Sequence, residues 1–295
     1  MDVFRTPDER FANLPDFPWE PRYHEWKGLR LAYVDEGDGR PIVLFHGEPS
    51  WSFLYRKIIA ELLKKGYRCV AIDLPGFGRS DKPTDMSWYT YDRHTAAASS
   101  VIEALDLDDA IFVVHDWGGP VGLRIGTVEA PERVSRFVAM DTGLFTGRQH
   151  MSQGWHAFRD FVERTEDLPI GMLVKNACAT EVPDEVIAAY EAPFPTVESK
   201  AGARAFPLML PLRPDAPGAA EGQAVADALR SDERPVLLMW GDSDPALPLN
   251  PVGRAVQTLF PTAEELTIIH DGGHFLQEDQ GHEIGALVAD WLAHT

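Results

Sequence analysis

Short runs of apolar residues recur along the chain, and each is bounded by Gly, Pro or a polar residue. The runs cover residues 29–34, 41–45, 68–72, 110–114, 137–140, 235–240 and 266–269. Because they are nearly continuous rather than alternating, both faces of each strand are expected to be covered, which indicates a parallel sheet. Helical patterns such as 55–65 and 95–105 lie between them. This alternation predicts an α/β fold, a doubly wound and mostly parallel sheet with helices on both faces.

The alternation of strands and helices stops between about residues 144 and 227. Helical patterns at 155–163 and 184–190 and proline-rich joints fill this region, without a strong strand pattern. We predict a helical cap domain of residues 144–227, inserted into a core domain made of residues 1–143 and 228–295. Residues 1–28 are rich in Pro, aromatic and charged residues and are expected to wrap around the core.

Composition narrows the class of protein. The 295 residues are 44% apolar and carry a formal net charge of -19. Such a charge disfavours nucleic acid and anionic membranes as partners. The N-terminus shows no apolar leader, and no apolar run approaches the roughly 20 residues that span a bilayer. The two cysteines, Cys69 and Cys178, form no disulfide framework, and we expect free thiols in a cytoplasmic protein. The oligomeric state is left open, a monomer included.

Candidate catalytic residues follow the predicted strands. Ligands of open α/β sheets bind beyond the carboxyl ends of the strands. Asp116 stands where a strand turns into a helix, Asp244 follows the next-to-last strand, and His274 follows the last one. Nucleophile, acid and histidine in this order are typical of α/β-hydrolases. The elbow motif is half matched, because Gly118 is present whereas Val114 stands where the motif has glycine.

Each candidate has an alternative role. Asp116 could cap the following helix, and His274 could be an ordinary loop histidine. Asp141 and Asp242 also follow strands and compete with Asp244 as the acid. The neighbour of the nucleophile, His115, is expected to be structural, since its side chain should point away from that of Asp116.

Cofactor and metal sites are not indicated. His270 and His274 lack partners at the spacing of a metal site, and Gly76-Phe77-Gly78 lacks the third glycine of a dinucleotide-binding loop. We therefore expect neither a cofactor nor a metal ion.

Several motifs together resemble one family, the haloalkane dehalogenases, within the α/β-hydrolase fold. They are HGEPSWSFLYRK at 46–57, DLPGFGRSDKP at 73–83, HDWGG at 115–119, AYEAPFP at 189–195, AGARAFP at 201–207 and GGHFLQED at 272–279. HDWGG is shared with epoxide hydrolases, whereas HGEP is more particular to the dehalogenases. The chain is most similar to the branch whose acid follows the next-to-last strand, which favours Asp244 over Asp141. The resemblance implies an α/β-hydrolase fold with an eight-stranded sheet.

The implied reaction converts a small apolar haloalkane and water into a primary alcohol and a halide. A carboxylate is ionised at neutral pH and can displace a halide from a saturated carbon, which leaves an alkyl ester on Asp116. His274, oriented by Asp244, would activate the water that hydrolyses the ester. Backbone N–H groups of Glu48 and Trp117 are the expected oxyanion donors, and the Glu48 side chain could also hold the water.

The halide needs donors in a dry pocket, and an indole N–H is a donor only. Trp117 is one candidate. The resemblance implies a second donor from the cap, for which Trp155 is the candidate and Asn176 the spare one. The apolar lining is expected to come from the following residues: Phe158, Phe161, Phe194, Phe206, Leu208 and Phe275.

Three other functions fit parts of the pattern. An epoxide hydrolase shares the triad but, by resemblance, uses two cap tyrosines, and this region has only Tyr190. A haloacid dehalogenase typically has Arg after the nucleophile, where this chain has Trp117. A non-catalytic binding protein could lose members of the triad without loss of its fold, yet all three are present here.

Overall fold

Eight strands form one twisted sheet in a computed structural model that describes residues 2–263 and 265–295. The strands of the protein are β1 (Val3–Phe4), β2 (Arg22–Trp26), β3 (Leu29–Glu36), β4 (Pro41–Phe45), β5 (Arg68–Ile72), β6 (Lys82–Pro83), β7 (Ala110–Asp116), β8 (Val134–Thr142), β9 (Val236–Gly241) and β10 (Thr267–Ile269). Their order in the large sheet is β10-β9-β8-β7-β4-β5-β3-β2, in which the pairs β2–β3 and β3–β5 are antiparallel and the other pairs are parallel. The predicted, mostly parallel eight-stranded sheet is confirmed.

Helices cover both faces of this sheet. They are α1 (Arg56–Lys64), α2 (Tyr91–Ala104), α3 (Gly118–Arg124), α4 (Gln153–Arg164), α5 (Ile170–Ala177), α6 (Asp184–Glu191), α7 (Ala201–Met209), α8 (Ala219–Leu229), α9 (Arg254–Gln257) and α10 (Leu276–His294). Helices α1 and α10 pack on one face, and α2, α3 and α8 pack on the other.

Strand β4 shows why the apolar runs are continuous. Ile42 and Leu44 join the core on the side of α1 and α10, while Val43 and Phe45 join the core on the opposite side. Side chains alternate between the faces of a strand, so a strand covered on both faces must be apolar at every position. Each such burial contributes roughly 1.5–3 kcal/mol before entropy is counted.

The N-terminal residues contain regular structure. Arg22–Trp26 forms the edge strand β2, which pairs with β3 through a hairpin at Lys27 and Gly28. Both turn residues have positive φ, +48° and +82°, as a tight hairpin of matching twist requires. Val3–Phe4 also forms a strand, which pairs with β6. The expected wrap of residues 1–28 therefore includes two strands.

The inserted region lies between the end of β8 at Thr142 and the start of β9 at Val236. It holds helices α4 to α8, of which the sequence pattern had singled out α4 and α6. Helix α8 crosses the predicted boundary between residues 227 and 228 and packs against α3 of the core. The division into a core of 1–143 and 228–295 and a cap of 144–227 stays a prediction.

The two cysteines carry free thiols. Cys69 is buried, and this burial raises the pKa of its thiol to about 12, which keeps it protonated and unreactive. Across residues 2–263 and 265–295, no helix combines the length and the apolar character needed to cross a membrane. Within the same ranges, no cluster of three or more His, Cys, Asp or Glu side chains is arranged to hold a metal ion.

Candidate active site

Loops that leave the carboxyl ends of β4, β7, β9 and β10 meet at one edge of the sheet and enclose a cavity of about 270 Å³. We call the core side of this cavity the floor, formed by Glu48, Asp116, Trp117 and His274, with Asp244 directly behind His274. The cap side is the roof, formed by Trp155, Phe158, Leu173, Asn176 and Ala177.

Asp116 occupies a strained turn at the end of β7. Its φ is +46°, a left-handed conformation that costs a non-glycine residue roughly 1 kcal/mol or more. Helix α3 begins two residues later at Gly118, where an added Cβ would lie 2.1 Å from the carbonyl oxygen of Phe45. Only glycine permits this approach of backbone to backbone. This backbone conformation directs the Asp116 side chain out of the sheet and towards the cavity.

The Asp116 carboxylate is held by three groups. One oxygen accepts the backbone N–H of Glu48 at 2.7 Å, and the other lies 3.6 Å from Nε2 of His274. Burial alone would raise the pKa of Asp116, but His274 and the backbone N–H of Trp117 bring that pKa below its usual range. Asp116 is therefore ionised, although its side chain is only 19% exposed.

His274 bridges two carboxylates. Its Nδ1 lies 2.8 Å from Asp244, whose other oxygen accepts the backbone N–H groups of Ala246 and Leu247 at 2.6 and 2.9 Å. Burial opposes the imidazolium, but the charge of Asp244 and the hydrogen bonds to Asp116 and Asp244 raise the pKa of His274 well above its usual value. The same pairing lowers the pKa of Asp244 against the effect of burial. The His274 ring thus lies between two carboxylates, and both favour its positively charged form.

The competing acids have other partners. Asp141 accepts the backbone N–H of Gly241 at 3.0 Å. Burial, followed by the charge of Asp244, raises the pKa of Asp141 well above its usual value, which favours the neutral carboxylic acid. Asp242 contacts the exposed His270 at 3.0 Å. Among the described residues, Asp244 is the carboxylate that contacts Nδ1 of His274.

His115 supports the backbone of the floor. Its Nε2 lies 2.7 Å from the carbonyl oxygen of His274. Burial is the main cause that lowers the pKa of His115 to about 3, so the ring is neutral and donates to that oxygen. The structural role expected for His115 agrees with this position.

Glu48 contributes more than its backbone. Its side chain lines the cavity, and burial, followed by the charge of Asp116, raises its pKa well above the usual value. Oε1 of Glu48 has no hydrogen-bond partner within residues 2–263 and 265–295. A neutral carboxylic acid can donate as well as accept, so Glu48 can bind a water molecule or another polar group beside Asp116.

Two indole rings line the cavity. Trp117 belongs to the floor and is 6% exposed, and Trp155 belongs to the roof and is 9% exposed. Among the described residues, neither indole N–H has a hydrogen-bond partner. Trp117 stacks on Phe206 with ring centres 5.2 Å apart, while the backbone N–H of Trp155 is capped by Ser152 at 3.0 Å. Both indole N–H donors therefore belong to buried side chains that line the cavity.

The apolar lining differs in part from the expectation. Phe158 and Phe275 line the cavity as predicted. Phe161, on the outer face of α4, is 38% exposed, while Phe194, Phe206 and Leu208 also lie outside the lining. Sequence reasoning missed other lining residues, which are Phe145, Met151, Leu173, Pro207, Leu210 and Leu247. The position of Leu173 three residues before Asn176 was the one available signal, since both share a helix face.

The chain is similar to known proteins over nearly its whole length. The model of the alpha/beta hydrolase family matches residues 42–287. The chain is 41% identical over 301 residues to a haloalkane dehalogenase of Psychrobacter cryohalolentis, covering 99% of this chain and 98% of that one. It is 42% identical over 302 residues to a haloalkane dehalogenase of Mycobacterium marinum, covering 99% and 100%.

Solved structures give a similar result. The tetrameric haloalkane dehalogenase DpaA of Paraglaciecola agarilytica is 34% identical, with a TM-score of 0.92 and 97% coverage of each chain. The haloalkane dehalogenase DatA of Agrobacterium tumefaciens is 25% identical, with a TM-score of 0.80 and coverage of 98% and 99%.

Proposed function

The chain belongs to the haloalkane dehalogenases of the alpha/beta hydrolase family, and on that premise we propose that it hydrolyses small haloalkanes to a primary alcohol and a halide. One observation carries the proposal. An ionised carboxylate, Asp116, lies beside a histidine at the floor of an apolar cavity that also holds two unpaired indole donors.

In the first step the carboxylate displaces the halide. An oxygen of Asp116 forms a bond to the carbon from the side opposite the halogen, and the carbon–halogen bond breaks with its electron pair on the halide. The product is a neutral alkyl ester on Asp116 and a free anion. The apolar roof supports this step, because desolvation of the substrate and the nucleophile brings them together without competing water.

The departing halide needs stabilisation where its charge develops. Trp117 and Trp155 offer indole N–H groups that are unpaired in the described part of the chain, and both line the cavity. Donors fixed in advance in a dry site stabilise a developing anion strongly. We propose that these two groups bind the halide. Asn176 also lines the cavity, which keeps it as a further candidate donor.

In the second step His274 acts as a base. Esterification removes the negative charge of Asp116, one of the groups that raise the pKa of His274. The pKa of His274 therefore falls, and its proton leaves with the halide to solvent. The neutral imidazole then takes a proton from a water molecule, and the resulting hydroxide oxygen attacks the ester carbonyl carbon. Asp244 orients the ring and stabilises its charged form.

The oxyanion of this second step has donors in place. The backbone N–H groups of Glu48 and Trp117 already point at the Asp116 carboxylate in the resting site. An ester oxygen that becomes negative would keep the same two donors. The neutral side chain of Glu48 lies beside them and is proposed to hold the water.

Epoxide hydrolysis, which would use the same triad, has less support. Opening an epoxide requires a proton donor near the leaving oxygen. The hydroxyl of Tyr190, the one cap tyrosine, lies 2.8 Å from Glu278 and is buried outside the cavity lining. The cavity therefore lacks a tyrosine donor among its described residues.

The proposed reaction also implies which ligands the protein binds. The substrate class is a small apolar halogenated molecule, and water and halide are the other ligands. We propose a cytoplasmic location, supported by the free thiols. The tetrameric state is a property of the DpaA structure, and light scattering of the purified chain would give the state of this one.

A panel of bromoalkanes and chloroalkanes tests the proposal through the halide that is released. We expect equimolar halide and alcohol, and in a single turnover in H₂¹⁸O the label should enter Asp116 while the alcohol keeps oxygen from the protein. Turnover of an epoxide with no halide released from any bromoalkane would contradict the proposed function. Label in the alcohol of the first turnover would contradict the ester.

A further inference from the structure

A short turn after the catalytic histidine connects the floor to the roof. Leu276–His294 is assigned as one helix, but Gln280 has non-helical backbone angles of -125° and 29°. This break separates a first turn that ends at Asp279 from the rest of α10. The backbone N–H groups of Glu278 and Asp279 both donate to the carbonyl of Phe275. The segment from His274 to Asp279 is thus structurally distinct from the rest of α10.

Asp279 binds two separate parts of the chain. One carboxylate oxygen accepts the backbone N–H of Gly273, in the catalytic loop, at 2.8 Å and that of Ala179, in the cap, at 2.9 Å. The other oxygen accepts the backbone N–H of Thr180 at 2.9 Å and its hydroxyl at 2.5 Å. Four hydrogen bonds to one carboxylate therefore hold the cap against the residue that precedes His274.

The backbone of His274 also contacts the cap directly. Its N–H donates to the carbonyl of Ala177 at 2.7 Å, at the end of α5. Helices leave their last carbonyls without partners, so this bond satisfies a group that needs one. An added Cβ at Gly273 would lie 2.3 Å from the same carbonyl oxygen. The cap and the catalytic loop are therefore packed backbone against backbone.

A second carboxylate fastens the same turn. Glu278 accepts both Nη groups of Arg56, at 2.6 and 2.7 Å, and the hydroxyl of Tyr190 at 2.8 Å. Arg56 belongs to the core helix α1 and Tyr190 to the cap helix α6. The turn is therefore fixed to core and cap at once, and it cannot move without the α5 end that lines the cavity.

We propose that Asp279 is a positioning residue, which acts through Gly273 to place His274 for the hydrolysis of the ester. This inference rests on the proposed function. Formation of the ester needs Asp116 and the halide donors, whereas its hydrolysis needs Nε2 of His274 within hydrogen-bonding reach of a water molecule. A displacement of the base by a fraction of an ångström therefore slows the second step selectively.

Asp279→Asn is the test variant, because the amide keeps the shape of the side chain but presents an NH₂ group to backbone donors. We expect ester hydrolysis to slow about tenfold, while the rate of ester formation changes less than twofold. Rapid quenching followed by mass spectrometry of the intact protein measures both rates, and the alkyl-enzyme should accumulate. Asp290→Asn removes the same charge from an exposed site on α10 and should change neither rate.

Gly273→Ala tests the same contact without a change of charge, and it should show the same selective loss. Hydrogen exchange of the unmodified protein adds a measurement that needs no variant. We expect the amides of Gly273, His274, Ala179 and Thr180 to exchange slowly and at a common rate. Exchange of Ala179 and Thr180 as fast as exposed loop amides would contradict the proposal.

The outcomes also separate this inference from the proposed function. If the unmodified protein releases no halide, the proposed function fails. If it releases halide but Asp279→Asn alters both steps equally or neither of them, the role of Asp279 fails and the dehalogenase function stands.

Discussion

The floor and the roof of the catalytic cavity are held by different interactions. On the floor, Asp116, Asp244 and His274 are fixed by hydrogen bonds to backbone N–H groups or to each other at distances of 2.6–2.9 Å. On the roof, Phe158 and Leu173 are fixed by apolar packing on short helices. Hydrogen bonds have narrow geometry, whereas packing tolerates shifts. The floor should therefore determine the chemistry, and the roof the choice of substrate.

The largest expected effect separates the two regions directly. Asp116→Ala removes the nucleophile and should lower kcat for a bromoalkane by on the order of 10⁴-fold. Phe158→Ala, the matched truncation on the roof, should raise KM and change kcat less than about threefold, because it removes apolar contact area only. Steady-state halide release measures both. A comparable loss of kcat in the two variants would contradict this division.

Trp155 tests this division between floor and roof most directly, because it is a roof residue with a proposed chemical role. Trp155→Phe keeps the packing but removes the N–H, and we expect kcat/KM to fall roughly 10²-fold. The remote Trp88→Phe is the control and should have no effect. Asn176→Ala shows whether the spare donor contributes. An unchanged kcat/KM in Trp155→Phe would return Trp155 to a packing role.

Lowering the pH should separate the two steps on the floor itself. The pKa of Asp116 lies below its usual range, so Asp116 stays ionised at pH 5 and ester formation should persist. Esterification of Asp116 lowers the pKa of His274, but the charge of Asp244 still raises it. The ring therefore stays protonated in acidic solution. Hydrolysis should then fall about tenfold per pH unit below that pKa. Rapid quenching at pH 5 and pH 8 measures both steps, and a parallel decline would contradict the assigned base.

The floor could be anticipated from the sequence because parallel strands bring their carboxyl ends to one edge. A polar residue after each apolar run, such as Asp116 or His274, must then lie near the others. The roof could be anticipated only in part. Phe158 was identified correctly as lining, but Phe161, three residues further along α4, faces solvent. Helical spacing alone does not fix which face a short helix presents to a cavity.

Two features had almost no signal in the sequence. The contact between Asp279 and the cap joins residues about 100 positions apart. Such a contact depends on where the inserted helices settle on the core. The raised pKa values of Glu48 and Asp141 are likewise a consequence of burial and of nearby carboxylates. Their pKa values follow from the folded environment and not from residue type.

The sequence by itself determined the doubly wound sheet and the residue types at its strand ends. The apolar runs and the helices between them are visible in the chain, and together they predict one arrangement of parallel strands. It left open which of Asp141 and Asp244 serves His274. The tertiary structure supports Asp244, since the direction of each side chain places Asp244 2.8 Å from Nδ1 and turns Asp141 towards Gly241. It likewise decided which cap residues line the cavity, because packing between helices depends on many weak contacts at once.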